Sequence, residues 1–509
     1  MMWIRAGLRS LHRVLGTCLA LLVTIWFGSG AVLLFVPYPN LNEEERFQSL
    51  EPLQLDHCCL PLELIWNQVG LTQAVERVRL VMASGRPVYV IHFLDGTLKG
   101  LWADQGELLS EITQYDAVQT TQHGYTFGVD STVEMLRDDR WTVHQRFDPH
   151  RPLRKVQLHD AEGTELYLSS TTGELVMDTT AFERQWNTLG AVIHWLYLPM
   201  LRRHWALWDQ TVWWLAAAGL ITAVSGLVLG SQHGLHGQGQ RLHSQFIGIK
   251  RWHHLGGMAI GAVVCLWIFS GLLSMDHGRW LSRSEPTMEQ RQRFMGGMLV
   301  PEDIGVPLGD AMRHLQLDAP VKEILLSKVG GASYYVFRSD SERQVVMSAD
   351  SVRAPASKFT LDTLAEAAKL VMSAQQLDRS EIAQGDLYYY STVHNPRPLS
   401  GLRIVLNDPA RTWVHIDTST GRLMEIMDSS GRAYRWLFHG LHSWDVPFFL
   451  ERDWQRRMIL VGLCGAGFLF SLSGVYLGIA RLVTMSRRSS WLSGSARNCM
   501  EPRRQKPLV

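Results

Sequence analysis

Cysteine is scarce in this chain of 509 residues: there are six, at positions 18, 58, 59, 265, 464 and 499. No Cys-x-x-Cys, His-Glu-x-x-His or Walker A sequence occurs, so the chain carries no signature of a zinc protease or an ATP-driven machine. Gly237-Gln238-Gly239 is followed by Leu242 where a dinucleotide fingerprint needs its third glycine. Lys and Arg number 49 against 48 Asp and Glu, and no nucleic-acid partner is expected. The most informative absence is local. Residues 14–36, 211–230, 255–275 and 458–480 contain no Lys, Arg, Asp or Glu.

Each of those runs has the roughly 20 residues that an α-helix needs to cross about 30 Å of hydrocarbon. Four spanning helices are therefore predicted. The first reads as a retained helix, because no small-x-small cleavage site follows it. Arg5, Arg9 and Arg13 precede it without an acid. Arg241, Lys250 and Arg251 mark the loop 231–252, and the tail is basic. The long segments hold nearly all the acids. The positive-inside rule then puts both termini and the short loop in the cytoplasm. The expected order is a cytoplasmic N-terminus (1–13), a spanning helix (14–36), an outer domain (37–207) and a second helix (208–230). A cytoplasmic loop (231–252), a third helix (253–275), a second outer domain (276–455), a fourth helix (456–480) and a cytoplasmic tail (481–509) complete it. Trp205, Trp208, Trp213 and Trp214 suit an aromatic belt. Of the cysteines only Cys58 and Cys59 fall outside, and adjacent cysteines bridge with difficulty. Metal binding, oxidation and no role at all stay open for them.

The chain also reads as an internal duplication. Residues 173–230 align with 421–478 without a gap, matching His194 with His442, Pro199 with Pro447 and Ser225-Gly226 with Ser473-Gly474. With small indels, His12 meets His253, Ser29-Gly30 meets Ser270-Gly271, and Arg151-Pro152-Leu153 meets Arg397-Pro398-Leu399. Both halves start and end on one side, so the repeats are parallel, related by an axis along the membrane normal. The fold class expected is an α-helical membrane bundle of four helices in two pseudo-symmetric repeats, with two extracytoplasmic α+β domains. In the outer domains, 62–82 has helical periodicity. Residues 87–93 and 97–102 form a hairpin about Asp95-Gly96. Residues 332–338 and 344–347 are strands and 361–372 a helix.

Histidine carries the chemistry. Equivalent residues of a parallel-repeat bundle lie at one depth and face one axis. His12 and His253 then pair near the cytoplasmic side, and His194 and His442 near the outer side. Paired neutral imidazoles suit a b-type haem, each ring giving a lone pair to one axial face of the iron. Two haems at two depths would conduct one electron at a time across the membrane. His254, beside His253, and His439, three residues before His442, are alternative ligands. His277, His233, His236 and His243 are further histidines near helix ends. The competing reading is that such histidines cap carbonyls at the headgroup level. The repeated Arg151 and Arg397 fit haem propionates, an anionic substrate, or simply a repeated turn.

The segments LHRVLG…FGSG (11–30), WHHLGG…FSG (252–271), TTGEL…IHWLYLP…VSGLVLG (171–230) and STGRL…LHSWDVP…LSGVYLG (419–478) resemble the PepSY-associated transmembrane family. The resemblance covers about residues 5–485. It departs in having Ser-Gly where the family's membrane helices usually have Thr-Gly, and in a longer tail. It implies PepSY domains outside the membrane. It also implies, by similarity to ferric-siderophore reductases, that His12, His194, His253 and His442 hold two b haems. The chain is then expected in a bacterial inner membrane as a haem-dependent reductase of a periplasmic ferric chelate or siderophore. A quinol or cytoplasmic reductase would supply the electrons. Two alternatives remain: a membrane-anchored PepSY binding or inhibitory module, and a siderophore or metal permease.

Overall fold

The computed structural model describes residues 2–54, 58–69, 73–109, 112–122, 124–125, 131–234, 244–275, 281, 284–315, 319–382, 386–391, 397–398 and 400–498. His236, His243, His277 and Arg241 lie outside them, as does the side chain of His233. Four helices are long and apolar enough to cross a membrane: Met2–Leu33, Trp205–Gly234, Ile249–Ser274 and Asp453–Asn498. All overrun the uncharged runs, because a helix needs no apolar side chains once it leaves hydrocarbon. Arg5, Arg9 and Arg13 thus stand on the first helix. That helix packs against the fourth, and the second against the third. Phe27, Ile260, Val264 and Ile268 form the buried centre of this bundle.

The remaining chain builds three antiparallel sheets from β1–β3 (Val75–Ala83, Arg86–Phe93, Leu98–Trp102), β4–β7 (Thr132–Leu136, Leu153–Gln157, Glu165–Ser169, Leu175–Thr179), β8–β10 (Glu323–Val329, Ala332–Arg338, Gln344–Ser348) and β11–β14 (Gln376–Glu381, Gly401–Leu406, Trp413–Asp417, Leu423–Met427). The sheets have the orders β4-β5-β6-β7, β11-β12-β13-β14 and β10-β9-β8-β1-β2-β3. The helix expected over 62–82 is corrected here. It ends at Val69, and Val75–Ala83 is a strand. That strand is covered on both faces, so apolar residues occupy both and the two-residue alternation that would reveal a strand is lost.

The six-stranded sheet joins strands from both parts of the chain. β1 pairs with β8, Val78 opposite Leu326 and Leu80 opposite Ile324. Alone, each strand would present an open edge. Glu323 sits at this join, 2% exposed. It accepts hydrogen bonds from Arg46 at 3.0 Å and Arg338 at 3.0 Å, with Arg79 Nε 3.3 Å away. Burial alone would raise its carboxyl, but the three guanidiniums outweigh burial and hold it well below the usual range. One face of the sheet packs on helix Leu62–Val69 and the segment around Val306 and Ala311. Its other face meets the two four-stranded sheets through separate cores, around Val81 and Val90 and around Leu325 and Val336. Cys58 and Cys59 are joined to each other as a disulfide.

Candidate functional site

Short capped helices deliver His194 and His442. Thr180 and Glu183 form a capping box that starts Ala181–Leu189. The helix stops at Gly190, where a Cβ would lie 3.0 Å from Val32 Cγ1. This close approach to the first spanning helix drops Ala191–His194 beside residues 29 and 30. On the other side Asp428 caps Ser429–Tyr434, and the π-helical turn Arg435–Gly440 follows. Single π turns re-aim the residues after them, and here the next turn carries His442.

The structure brings the four principal histidines together in two pairs. The ring centroids of His194 and His442 are 6.3 Å apart, with the planes at 71°. Those of His12 and His253 are 6.5 Å apart, at 48°. A metal–imidazole bond of about 2.0 Å, plus about 1.2 Å from nitrogen to ring centre, puts two trans imidazoles roughly 6.4 Å apart. Both pairs match that spacing.

Each ring rests on a Ser-Gly pair of a spanning helix. His12 Nδ1 lies 3.2 Å from Ser225 Oγ and 3.0 Å from the Thr222 carbonyl. His194 Nδ1 lies 3.1 Å from Ser29 Oγ, His253 Nδ1 2.8 Å from Ser473 Oγ, and His442 Nδ1 3.0 Å from Ser270 Oγ. Each serine hydroxyl donates its one hydrogen to a carbonyl of its own helix: Ser29 to Ile25, Ser225 to Thr222, Ser270 to Trp267 and Ser473 to Phe470. The hydroxyl must therefore accept from the imidazole, which assigns the proton to Nδ1 and the lone pair to Nε2. Among the described residues no Nε2 of the four has a hydrogen-bond partner. The glycine of each pair gives the ring room. A Cβ at Gly226, Gly30, Gly474 or Gly271 would lie 2.7, 3.3, 3.5 or 3.6 Å from the Cε1 of its histidine. Hydroxyls that orient imidazoles for a metal are what such a site requires around its ligands, and the donor set fits a six-coordinate haem iron.

The alternates separate cleanly. His254 uses both nitrogens, Nδ1 3.0 Å from Ser244 Oγ and Nε2 3.0 Å from the Gly230 carbonyl, so it has no lone pair to offer. His439 packs on Phe438, ring centres 4.9 Å apart, and among the described residues its ring contacts no second imidazole. It lines a cavity of about 1500 Å³ that begins at His194, His442, Gly30 and Gly271 and has Phe27, Ala216 and Ile268 in its wall. That exceeds the roughly 300–1,000 Å³ that holds one small ligand.

The two repeated arginines diverge. Arg151 binds Asp148 and the carbonyls of Arg137, Thr142 and His144, a turn-stabilising role. Arg397 pairs with Glu425 and lies over the Tyr389 ring, on the cavity wall. The serine seats were not expected from the sequence, although Ser-Gly recurs once in each uncharged run, at 29, 225, 270 and 473. That fourfold recurrence was the available signal. Comparison of the chain with protein-family models and with curated proteins finds no match to either.

Proposed function

We propose that this chain is a di-haem electron-transfer protein of the bacterial inner membrane that reduces a ferric chelate held by its outer domains. Its two halves are parallel repeats, both termini are cytoplasmic, and the sheets form two PepSY-like α+β units outside. The single observation that carries the reading is the geometry of the two imidazole pairs: ring centres 6.3 and 6.5 Å apart, Nδ1 anchored by serine, Nε2 left open. The resemblance to PepSY-associated membrane proteins supports the same reading. A b-type haem bound at each pair would supply one-electron chemistry.

The chain's own residues do the rest. His12 with His253, and His194 with His442, would hold a haem iron at each pair. Ser225, Ser473, Ser29 and Ser270 hold the rings in register and raise the basicity of Nε2. Glycine beside each serine admits the ring. From His12 to Ser29 along the first helix, and from His253 to Ser270 along the third, is seventeen residues, about 26 Å. The two sites therefore sit near opposite faces of roughly 30 Å of hydrocarbon. Phe470, stacked on His253 at 5.0 Å, and Phe27 against Trp267 at 5.7 Å lie in the interval. The ferric substrate is held in the cavity that opens from the outer pair, and Fe(II) leaves hard oxygen chelators more readily than Fe(III).

The test is a reduced-minus-oxidised absorption spectrum of the detergent-purified full chain. A b-type signal is expected, with the outer component lost in His194→Ala. Colourless protein after expression with ample haem would refute the proposal and leave the anchored binding module as the reading.

A further inference from the structure

The cavity above the outer imidazole pair carries more positive charge than two neutral histidines account for. Eight arginines line it against five carboxylates. Arg397 is paired with Glu425 at 2.5 Å, Arg456 with Asp445 at 2.5 Å and Arg457 with Asp453 at 2.6 Å. Among the described residues the other arginines of the lining form no ion pair.

The unbalanced charge gathers at the end of the cavity against the six-stranded sheet. Arg77 and His92 are cross-strand partners on β1 and β2, with Arg77 Nη2 3.3 Å from His92 Nδ1. His150 ends the turn Gln145–His150, and Arg422 comes from the turn before β14, in the other part of the chain. Arg77 Nε, His92 Nε2 and His150 Nδ1 are shielded from solvent and have no hydrogen-bond partner. All four side chains line the same space. Burial, and for Arg77 and His92 the neighbouring positive charge, shows in the titration of three of them. Burial, then Arg422, pulls Arg77 down to about 10. Burial, then Arg77, pulls His92 well below its usual value, and burial takes His150 down to about 4. Buried polar atoms are ordinarily satisfied, and three orphans facing one cavity beside unpaired guanidiniums are complementary to an anion.

We propose that Arg77, His92, His150 and Arg422 form an anion site that receives the carboxylates of the chelate, so that the protein prefers net-negative polycarboxylate complexes to neutral or cationic ones. A carboxylate there satisfies the guanidinium through charge-assisted hydrogen bonds and relieves the repulsion between Arg77 and Arg422. Apolar walls strengthen the attraction by lowering the local dielectric. The proposal rests on the preceding reading for the iron but not for the anion.

A redox-inert probe separates the two. Gallium(III) citrate is titrated into the full chain in detergent by calorimetry, beside a neutral gallium(III) tris-hydroxamate. Citrate binding at least about tenfold tighter than hydroxamate binding is expected, weakening as salt rises. Arg77→Gln and Arg422→Gln should each weaken citrate by about tenfold or more, with Arg422→Lys restoring part of the loss. Equal binding of the two probes by the wild-type chain overturns the proposal without any variant. Carboxylates of a porphyrin share this chemistry. If Arg77→Gln or Arg422→Gln loses haem instead of citrate, the arginines belong to the porphyrin and the proposal also fails. Absence of haem alongside intact citrate selectivity would sink the electron-transfer reading and leave the anion site standing.

Discussion

Replacing Gly226 with alanine puts a methyl where His12 already stands. The new Cβ would lie 2.7 Å from His12 Cε1 and 3.3 Å from Nδ1, whereas ordinary contact begins at 3.4 Å. The ring must therefore retreat by about 0.7 Å in a closely packed bundle. It cannot do so freely, because the Thr222 carbonyl and Ser225 hydroxyl hold Nδ1 from the same helix. Metal–ligand distances tolerate only about 0.2 Å, and lost support around a ligand typically costs about 10–100-fold in metal affinity. Gly271→Ala is the matched control: its Cβ would meet His442 Cε1 at 3.6 Å, an ordinary contact. A pyridine haemochrome assay on purified protein should find about one haem per chain in Gly226→Ala and about two in both Gly271→Ala and wild type. Full haem content and an unchanged difference spectrum in Gly226→Ala would refute the seat argument, since the ring would then not be where its metal needs it.

Further outcomes follow from the same geometry. His254→Ala should leave both haem signals intact in the difference spectrum, because both its nitrogens are already bonded, whereas His253→Ala should remove the inner one. Glu323→Gln should lower stability by about 3 kcal/mol, as removal of one partner from a buried ionic cluster does, read as a fall in melting temperature of the extramembrane part. The same cluster sets an acid limit. The folded Glu323 carboxyl lies below its unfolded value of 4.5, so its stabilisation is complete above about pH 5 and drains away as pH falls toward the folded value. Between about pH 5 and pH 3 wild type should lose more melting temperature than Glu323→Gln. Equal slopes would show that the three arginines do not depend on this carboxylate.

Much of the membrane part was legible from residue order. An uncharged run of spanning length marks a long apolar helix, so all four helices were found, although Met2–Leu33 and Asp453–Asn498 extend well past their uncharged stretches. Helix Leu361–Met372 and strands β9 and β10 were also legible, because each shows one clear period bounded by turn residues. β1 was misread as the end of a helix, since a strand buried on both faces loses its alternation. The pairing of His12 with His253 and His194 with His442 followed from matching one half of the sequence to the other. That both nitrogens of the alternate His254 are engaged did not, because neighbouring residues differ only in direction around the helix, and direction decides which partners each ring meets.

Residue order by itself determined the number of apolar helices, the equivalences between the halves and the histidine pairs that result. These depend on length and periodicity, which are properties of a chain read in one dimension. Only the tertiary structure decided that β1 and β8 close each other's edges, that a serine hydroxyl on a facing helix leaves each Nε2 open, and that Arg77, His92, His150 and Arg422 share one cavity. Those facts join residues tens to hundreds of positions apart. Hydrogen-bond direction, ring clearance and charge crowding exist only once such residues are within a few ångströms of one another.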